Sequence, residues 1–386
     1  MQRYSIPPEF HSSLLPALDL TVLQLVQFRL PFALLSFPVT TTEDFFTDHF
    51  PESPVDIAAI RDIPSPPLSV VQALQKDLKK ISTQQRSIRC IHVPSASEKT
   101  YPLWIVSYWE EMFTIRQARN MWMVAEDDLR KKSQMWKAKG KSESLRIIDQ
   151  CLAALSVLRW SDKLRGFSSN SEEDLESLAL YTSDKWLHGA HANQMLDLLQ
   201  RHLQRSGKNH IDLGSSYFYA KISQGSEDIE KYSTEDSFRF YRHIGNDLET
   251  GIRDQFGFLA NLDRNHWIAV VFDFRKREIW FGDSLGGVAT ASVRRILNWW
   301  TQFHSGEAFT FQQLPITIQR DSFSCCLLAW DALRVFFLDS EETLLPSQDV
   351  AEGRLKVLLQ VIHEHQSRAM VSRLLTHGLH CILKFY

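Results

Sequence analysis

The stretch Gln319-Arg320-Asp321-Ser322-Phe323-Ser324-Cys325-Cys326-Leu327-Leu328-Ala329-Trp330 decides how this chain is read. It follows a proline-broken strand pattern at 309–318 and runs into an apolar helical pattern that ends near Phe337. A cysteine at the mouth of a helix sits at the positive end of the helix dipole, which favours thiolate over thiol. Six residues upstream, Gln319 offers a side-chain amide that can donate to a developing oxyanion. This is the layout of a cysteine nucleophile, and it requires a base and an orienting group from elsewhere in the chain.

Both are found upstream. Strands are expected at 266–274 and 277–282, with Arg275-Lys276 as the connecting turn. In the first, Ile268, Val270 and Phe272 alternate with Trp267, Ala269 and Val271, so both faces are apolar and the strand is expected to be central. His266 opens that strand and Asp283 follows the second. If the two pair antiparallel, Asp283 lies beside His266, where it fixes the imidazole tautomer and favours imidazolium. Cys325 would then attack a carbonyl carbon, with Gln319 and the Cys325 backbone N–H holding the oxyanion. Taken singly, His266, Asp283 and Gln319 are ordinary residues for a strand end or a turn; their order and spacing make the case. Cys325 keeps the six-residue interval, whereas Cys326 is turned about 100° round a helix and cannot face the same histidine. Cys326 is therefore read as a small buried residue.

This order of motifs, His266-Trp267, Asp283-Ser284, then Gln319 and Cys325, resembles the Ulp/sentrin-type cysteine proteases of the adenain-like fold. Trp186-Leu187, expected to open a helix, is similar to the family's early Trp-Leu motif, and Tyr217-Phe218-Tyr219-Ala220-Lys221 to its Phe-Phe-Tyr-Thr-Lys segment. The resemblance spans roughly residues 175–386. It implies cleavage after the Gly-Gly tail of a ubiquitin-like modifier, with Trp267 and Trp186 as walls of a narrow tunnel for that tail. The chain departs from the pattern at Ser324, where the family has aspartate, and at Cys326, where it has glycine and where a side chain is expected to crowd the cleft. His188-Gly189 stand where an acidic residue commonly follows Trp-Leu. Two other readings therefore stay open: a degraded module that binds a ubiquitin-like protein without cutting it, and an acetyltransferase on the same fold.

The rest of the chain sets the context. Its 386 residues are enough for two or three domains, and a net charge of -3 makes no global case for nucleic acid or a membrane surface. Five cysteines suggest no disulfide framework, which points to a nuclear or cytoplasmic protein. Residues 14–39 are apolar, but Pro16, Pro31, Pro38 and several polar residues argue against a spanning helix. The first 68 residues are punctuated by proline, so short helices between extended pieces are expected. Helical patterns follow at 70–81, 104–136 and 142–160, the last two an α-hairpin turning at Lys139-Gly140-Lys141. The basic run at 130–141 reads as a solvated face and turn, with a nuclear import signal or nucleic-acid contact as the alternative. The polar, acidic segment 166–176 is the expected linker, with a helical region at 69–165 before it and a protease-like domain at 177–386 after it. In that domain helices are also expected at 186–203, 238–248, 293–303, 325–338 and 355–375. A strand or buried turn is expected at 216–222 and a terminal strand at 379–386. Helices and strands in this order predict an α+β fold. The histidines 363, 365, 377 and 380 with Cys381 lack zinc spacing, and neither a metal nor a cofactor is expected. A ubiquitin-like protein or its conjugates is the expected partner, with an unknown protein partner for the N-terminal region.

Overall fold

The structure is a computed structural model that describes residues 4–37, 41–80, 86–168, 173–338 and 342–382, the backbone alone from 371 onward. The chain forms two compact units. One comprises Met1–Glu126 and Leu155–Asp162; the other comprises Asp127–Ala154 and Lys163–Tyr386. The division differs from the expected boundary at 166–176: residues 127–154 belong with the C-terminal unit. The physical reason lies in their contacts, which are given below.

In the first unit, prolines keep the elements short. Helices α1 (Pro8–Leu14), α2 (Val22–Gln27) and α3 (Ile57–Asp62) alternate with extended chain. Thr21 and Gln24 close a reciprocal capping box on α2. Three strands, β1 (Phe46–Thr47), β2 (Ser87–Arg89) and β3 (Thr100–Pro102), form a small antiparallel sheet. Helix α4 (Leu68–Leu78) buries Val70, Val71, Leu74 and Leu78 at helical spacing. Helix α5 (Ile105–Ala138) begins in this unit, and its Trp109, Met112, Ile115 and Trp122 are buried. These tryptophans are core. No helix among the described residues is long and apolar enough to cross a membrane.

The second unit contains the last turns of α5 and then α6 (Ser142–Leu155), with Gly140 in the left-handed conformation (φ 66°) at the turn between them. Here Lys141 pairs with Asp349 at 2.9 Å, Ser144 donates to Glu352 at 2.7 Å, and Cys151 is buried against the Leu355 carbonyl. These contacts attach α6 to α13 (Val350–Ile382). The basic run is largely neutralised, with Lys131 on Asp127 and Lys132 on Asp184.

The centre of the unit is a five-stranded mixed sheet. Its strands run in sequence order: β4 (Ile211–Leu213), β5 (Gln255–Leu262), β6 (His266–Asp273), β7 (Glu278–Gly282) and β8 (Thr310–Gln313). The central pairs β5–β6 and β6–β7 are antiparallel, and the outer pairs are parallel. On one face Phe256, Phe258, Ile268, Val270 and Phe272 pack with α8 (Phe218–Glu227), α9 (Ile229–Thr234), α10 (Arg239–Glu249) and α11 (Ala291–Ser305), around the buried Trp300. Helix α12 (Cys325–Phe337) covers the other face, where Phe337 meets Gly257 and Phe336 meets Trp280. Behind it lie α7 (Gly189–Arg205) and α13. The two-sided apolar pattern of β6 thus reflects helices on both faces of an α+β unit.

Four local expectations need correction. Residues 216–222 form a turn and the start of α8, because Phe218 and Ile222 bury one helical face. Helix α7 begins at Gly189, three residues after Trp186. Strand β8 ends at Gln313, before Pro315. Residues 379–382 continue α13 instead of forming a strand, and 383–386 lie outside the described residues. Strand β5, which pairs along all of β6, has no counterpart among the expected strands.

Candidate active site

The β5–β6 hairpin ends in a turn in which Asp263 (φ 52°) and Arg264 (φ 61°) are left-handed, and His266 is the first residue beyond it. Strand β7 returns alongside β6 in the register Ala269↔Gly282, which carries Asp283 back to the same end of the sheet. His266 Nε2 and Asp283 Oδ1 lie 2.7 Å apart, and both side chains are largely buried. Asp283 also accepts the Leu285 backbone N–H at 2.8 Å. Gly287 lets this happen, since a Cβ there would overlap the carboxylate Oδ2. Burial opposes charge on Asp283. The His266 hydrogen bond and the N–H groups of Leu285 and Gly287 outweigh it, so the carboxyl stays below its usual range.

Helix α12 delivers Cys325, 3 % exposed, to the remaining side of the imidazole. Hydrogen bonds to Asp283 and then to Cys325, working against burial, raise the His266 pKa to about 9. With Nε2 committed to Asp283, Nδ1 is the ring nitrogen left for the thiol. Cys325, His266 and Asp283 therefore lie together in an arrangement that suits a nucleophile, a base and an orienter. Cys326 points the other way: it is fully buried, and burial pushes its thiol well up, away from any thiolate role. Cys326 has no exposed surface.

The loop before α12 is built by its own backbone. Asp321 Oδ1 accepts the N–H groups of Phe323 at 2.9 Å and Ser324 at 2.8 Å, a turn that aims the chain into the helix. Ser324, at the N-cap, makes no side-chain cap, and its buried hydroxyl has no partner among the described residues. Asp321, not the residue before the nucleophile, is the carboxylate that shapes the loop. Gln319 lies at the loop's start, its N–H donating to the Ser284 carbonyl at 2.9 Å. Its side chain lies between the Ser284 hydroxyl (2.7 Å) and the Asp321 carbonyl (2.9 Å). At the first turn of α12 the backbone N–H groups of Cys325, Cys326 and Leu327 precede the first intrahelical bond, from Leu328 to Ser324.

The two tryptophans meet the site through residues 186–189. Trp186 is 44 % exposed and its indole donates to the Ser322 carbonyl in the nucleophile loop. Trp267 is buried and its indole donates to the Leu187 carbonyl at 3.1 Å. Gly189 passes close to Trp267, with a position for Cβ 4.0 Å from the ring. With that exposure Trp186 is not a core residue. His188 and His191 make a capping box at the start of α7, so the histidine in place of an acidic residue serves the helix end.

Sequence reasoning missed Ser284, Asp321 and Arg354. Asp321-x-x-Ser324 ahead of a helix carries a turn signal in the sequence; the other two act through tertiary contacts. Arg354 on α13 is buried and donates to the carbonyls of Leu180, Tyr181 and Lys185, which fixes the segment leading to Trp186. Burial lowers its pKa to about 10. Of the late histidines, His363 is exposed and His365 is buried, accepting the Arg165 N–H; the side chains of 377, 380 and 381 lie outside the described residues. Among the described residues no group of three His, Cys, Asp or Glu could hold a metal ion.

No protein-family model matches the chain, and no curated protein matches it. Among solved structures, the chain is similar to the SUMO protease Ulp1 with its catalytic cysteine oxidised to a sulfonic acid, at 18 % identity and a TM-score of 0.45 over 57 % of this chain and 95 % of that one. It is also similar to the Ulp1-like SUMO protease catalytic domain of Chaetomium thermophilum, at 13 % identity and a TM-score of 0.45 over 57 % and 89 % of the two chains. The effector protein XopD of Xanthomonas campestris, solved bound to ubiquitin, is similar at 18 % identity and a TM-score of 0.33 over 47 % and 92 %. All three likenesses lie below 20 % identity and below a TM-score of 0.5.

Proposed function

We propose that the chain is a thiol peptidase that cleaves the peptide or isopeptide bond after the Gly-Gly tail of a ubiquitin-like protein. The observation that carries this reading is the connected Cys325–His266–Asp283 constellation, with His266 bonded to Asp283 at 2.7 Å. His266 takes the thiol proton and Cys325 sulfur attacks the carbonyl carbon. The tetrahedral oxyanion that results is held by the Cys325 N–H and the Gln319 amide. Collapse breaks the C–N bond, and His266 returns the proton to the departing amine. Water, deprotonated by His266, then hydrolyses the thioester and frees the thiol. Trp186, bonded to the nucleophile loop, and Trp267, next to His266, favour a substrate tail without side chains, on steric grounds.

A panel of ubiquitin-like proteins carrying C-terminal electrophiles, with SUMO and ubiquitin among them, tests the reading. At least one should label the protein, Cys325→Ala should abolish labelling, and Cys326→Ala should keep it. Gln319→Ala should lower turnover of a fluorogenic C-terminal amide by roughly 100-fold, the usual loss for one oxyanion donor. Labelling that follows Cys326 overturns the nucleophile assignment. Binding without labelling gives the non-catalytic module, and acetyl transfer from acetyl-CoA gives the acetyltransferase.

A further inference from the structure

An amide can serve as an oxyanion donor only if its nitrogen, not its oxygen, is turned to the substrate. The two ends of the Gln319 side chain are told apart by their neighbours. The Asp321 backbone carbonyl, 2.9 Å away, can only accept, so the atom facing it is Nε2. Oε1 therefore faces the Ser284 hydroxyl at 2.7 Å, and because an amide oxygen can only accept, the serine must donate. Ser284 is fully buried, so its hydroxyl is committed to a protein partner. With one Nε2 hydrogen bound to Asp321, one remains free.

We infer that Ser284 is the positioning residue that sets the orientation of the Gln319 amide for oxyanion donation; the inference rests on the peptidase reading above. The same turn gives this residue a second consequence. Asp283 and Ser284 are neighbours, and one side chain goes to His266 while the other goes to Gln319. The Gln319 N–H to Ser284 carbonyl bond, 2.9 Å, ties the two loops backbone to backbone as well. One turn after β7 therefore holds the base and the oxyanion donor in a common frame. Without the hydroxyl, Oε1 loses its only described donor, and the amide gains a reason to rotate or flip.

The test compares wild type, Ser284→Ala, Ser284→Thr, Gln319→Ala and the Ser284→Ala/Gln319→Ala double variant. It uses turnover of a ubiquitin-like protein with a fluorogenic C-terminal amide, together with the side-chain amide NMR signal of Gln319. Ser284→Ala is expected to lower kcat about 10- to 100-fold with KM within about 2-fold, a loss no greater than that of a whole oxyanion donor. Ser284→Thr should restore most of it, and the double variant should be no slower than Gln319→Ala alone. The Gln319 amide protons should lose their separate, protected signals in Ser284→Ala. Unchanged kcat, a full additive loss in the double variant, or an unaltered Gln319 signal overturns the inference. The NMR readout does not need turnover. A wild-type protein that processes no substrate would sink the peptidase reading, while the amide signal still decides whether Ser284 orients Gln319.

Discussion

In the proposed reaction His266 both takes a proton and releases it, and its neighbours set how tightly the proton is held. Asp283, at 2.7 Å, and Cys325 raise its pKa to about 9, from 6.5. Because the folded value lies above the unfolded one, the imidazolium form stabilises the fold in full below about pH 6.5. That contribution fades as pH rises through about 9. The shift corresponds to no more than about 3 kcal/mol, part of it shared with Cys325. Wild type should therefore exceed Asp283→Asn in unfolding free energy most at pH 6, with the gap narrowing by pH 9.5. A gap that stays constant across that range, or an NMR titration of His266 near 6.5, would contradict the pairing. Cys326 illustrates the opposite case at the same scale: one step along the helix, burial first and then the neighbouring Cys325 push its thiol well up, against the thiolate.

At the scale of elements, the site depends on α12 lying flat on the sheet, and Gly257 on β5 makes that approach possible. A Cβ at 257 would sit 2.5 Å from the Phe337 ring at the far end of α12. Gly257→Val should cost about 1–3 kcal/mol by overpacking. It should also lower kcat, since α12 carries Cys325 at its other end. Equal melting temperatures for variant and wild type would show that α12 adjusts without strain. Which elements are legible in the sequence follows from the same packing. Strand β6 is readable because helices cover both its faces, which forces an unbroken apolar run. Strand β5 is hidden by Gly257 and Asn261, one needed for the close helix and the other facing the strand's end. Tyr217-Phe218-Tyr219 reads as strand by aromatic propensity, yet Phe218 and Ile222 form the buried face of α8. In the site, Cys325, His266, Asp283 and Gln319 stand out by order and spacing, and antiparallel β6–β7 pairing supplies the His–Asp contact. Ser284 and Arg354 do not stand out, because their partners are an amide and backbone carbonyls far away in sequence.

For the molecule as a whole, the division into units says where the part that carries the candidate site begins. A cut near 166–176, at the polar segment, leaves α6 and the end of α5 behind. The contacts oppose that cut: Lys132 pairs with Asp184, Lys141 with Asp349, and Ser144 donates to Glu352. Ile147, Ile148 and Cys151 of α6 are buried as well. Removing α6 exposes the surfaces these residues cover, worth at least about 3 kcal/mol by area and burial. A fragment of residues 127–386 should therefore unfold in one cooperative transition and keep electrophile labelling at Cys325. A fragment of residues 163–386 should melt roughly 10 °C lower or aggregate, given about 2–4 °C per kcal/mol for a unit of this size. Equal melting temperatures for the two fragments would place the working boundary at the polar segment after all, and would make α6 a passenger on α13. The longer fragment's labelling rate, set beside that of the full chain, then measures what the first unit contributes to the site. An equal rate assigns that unit no part in the chemistry of Cys325.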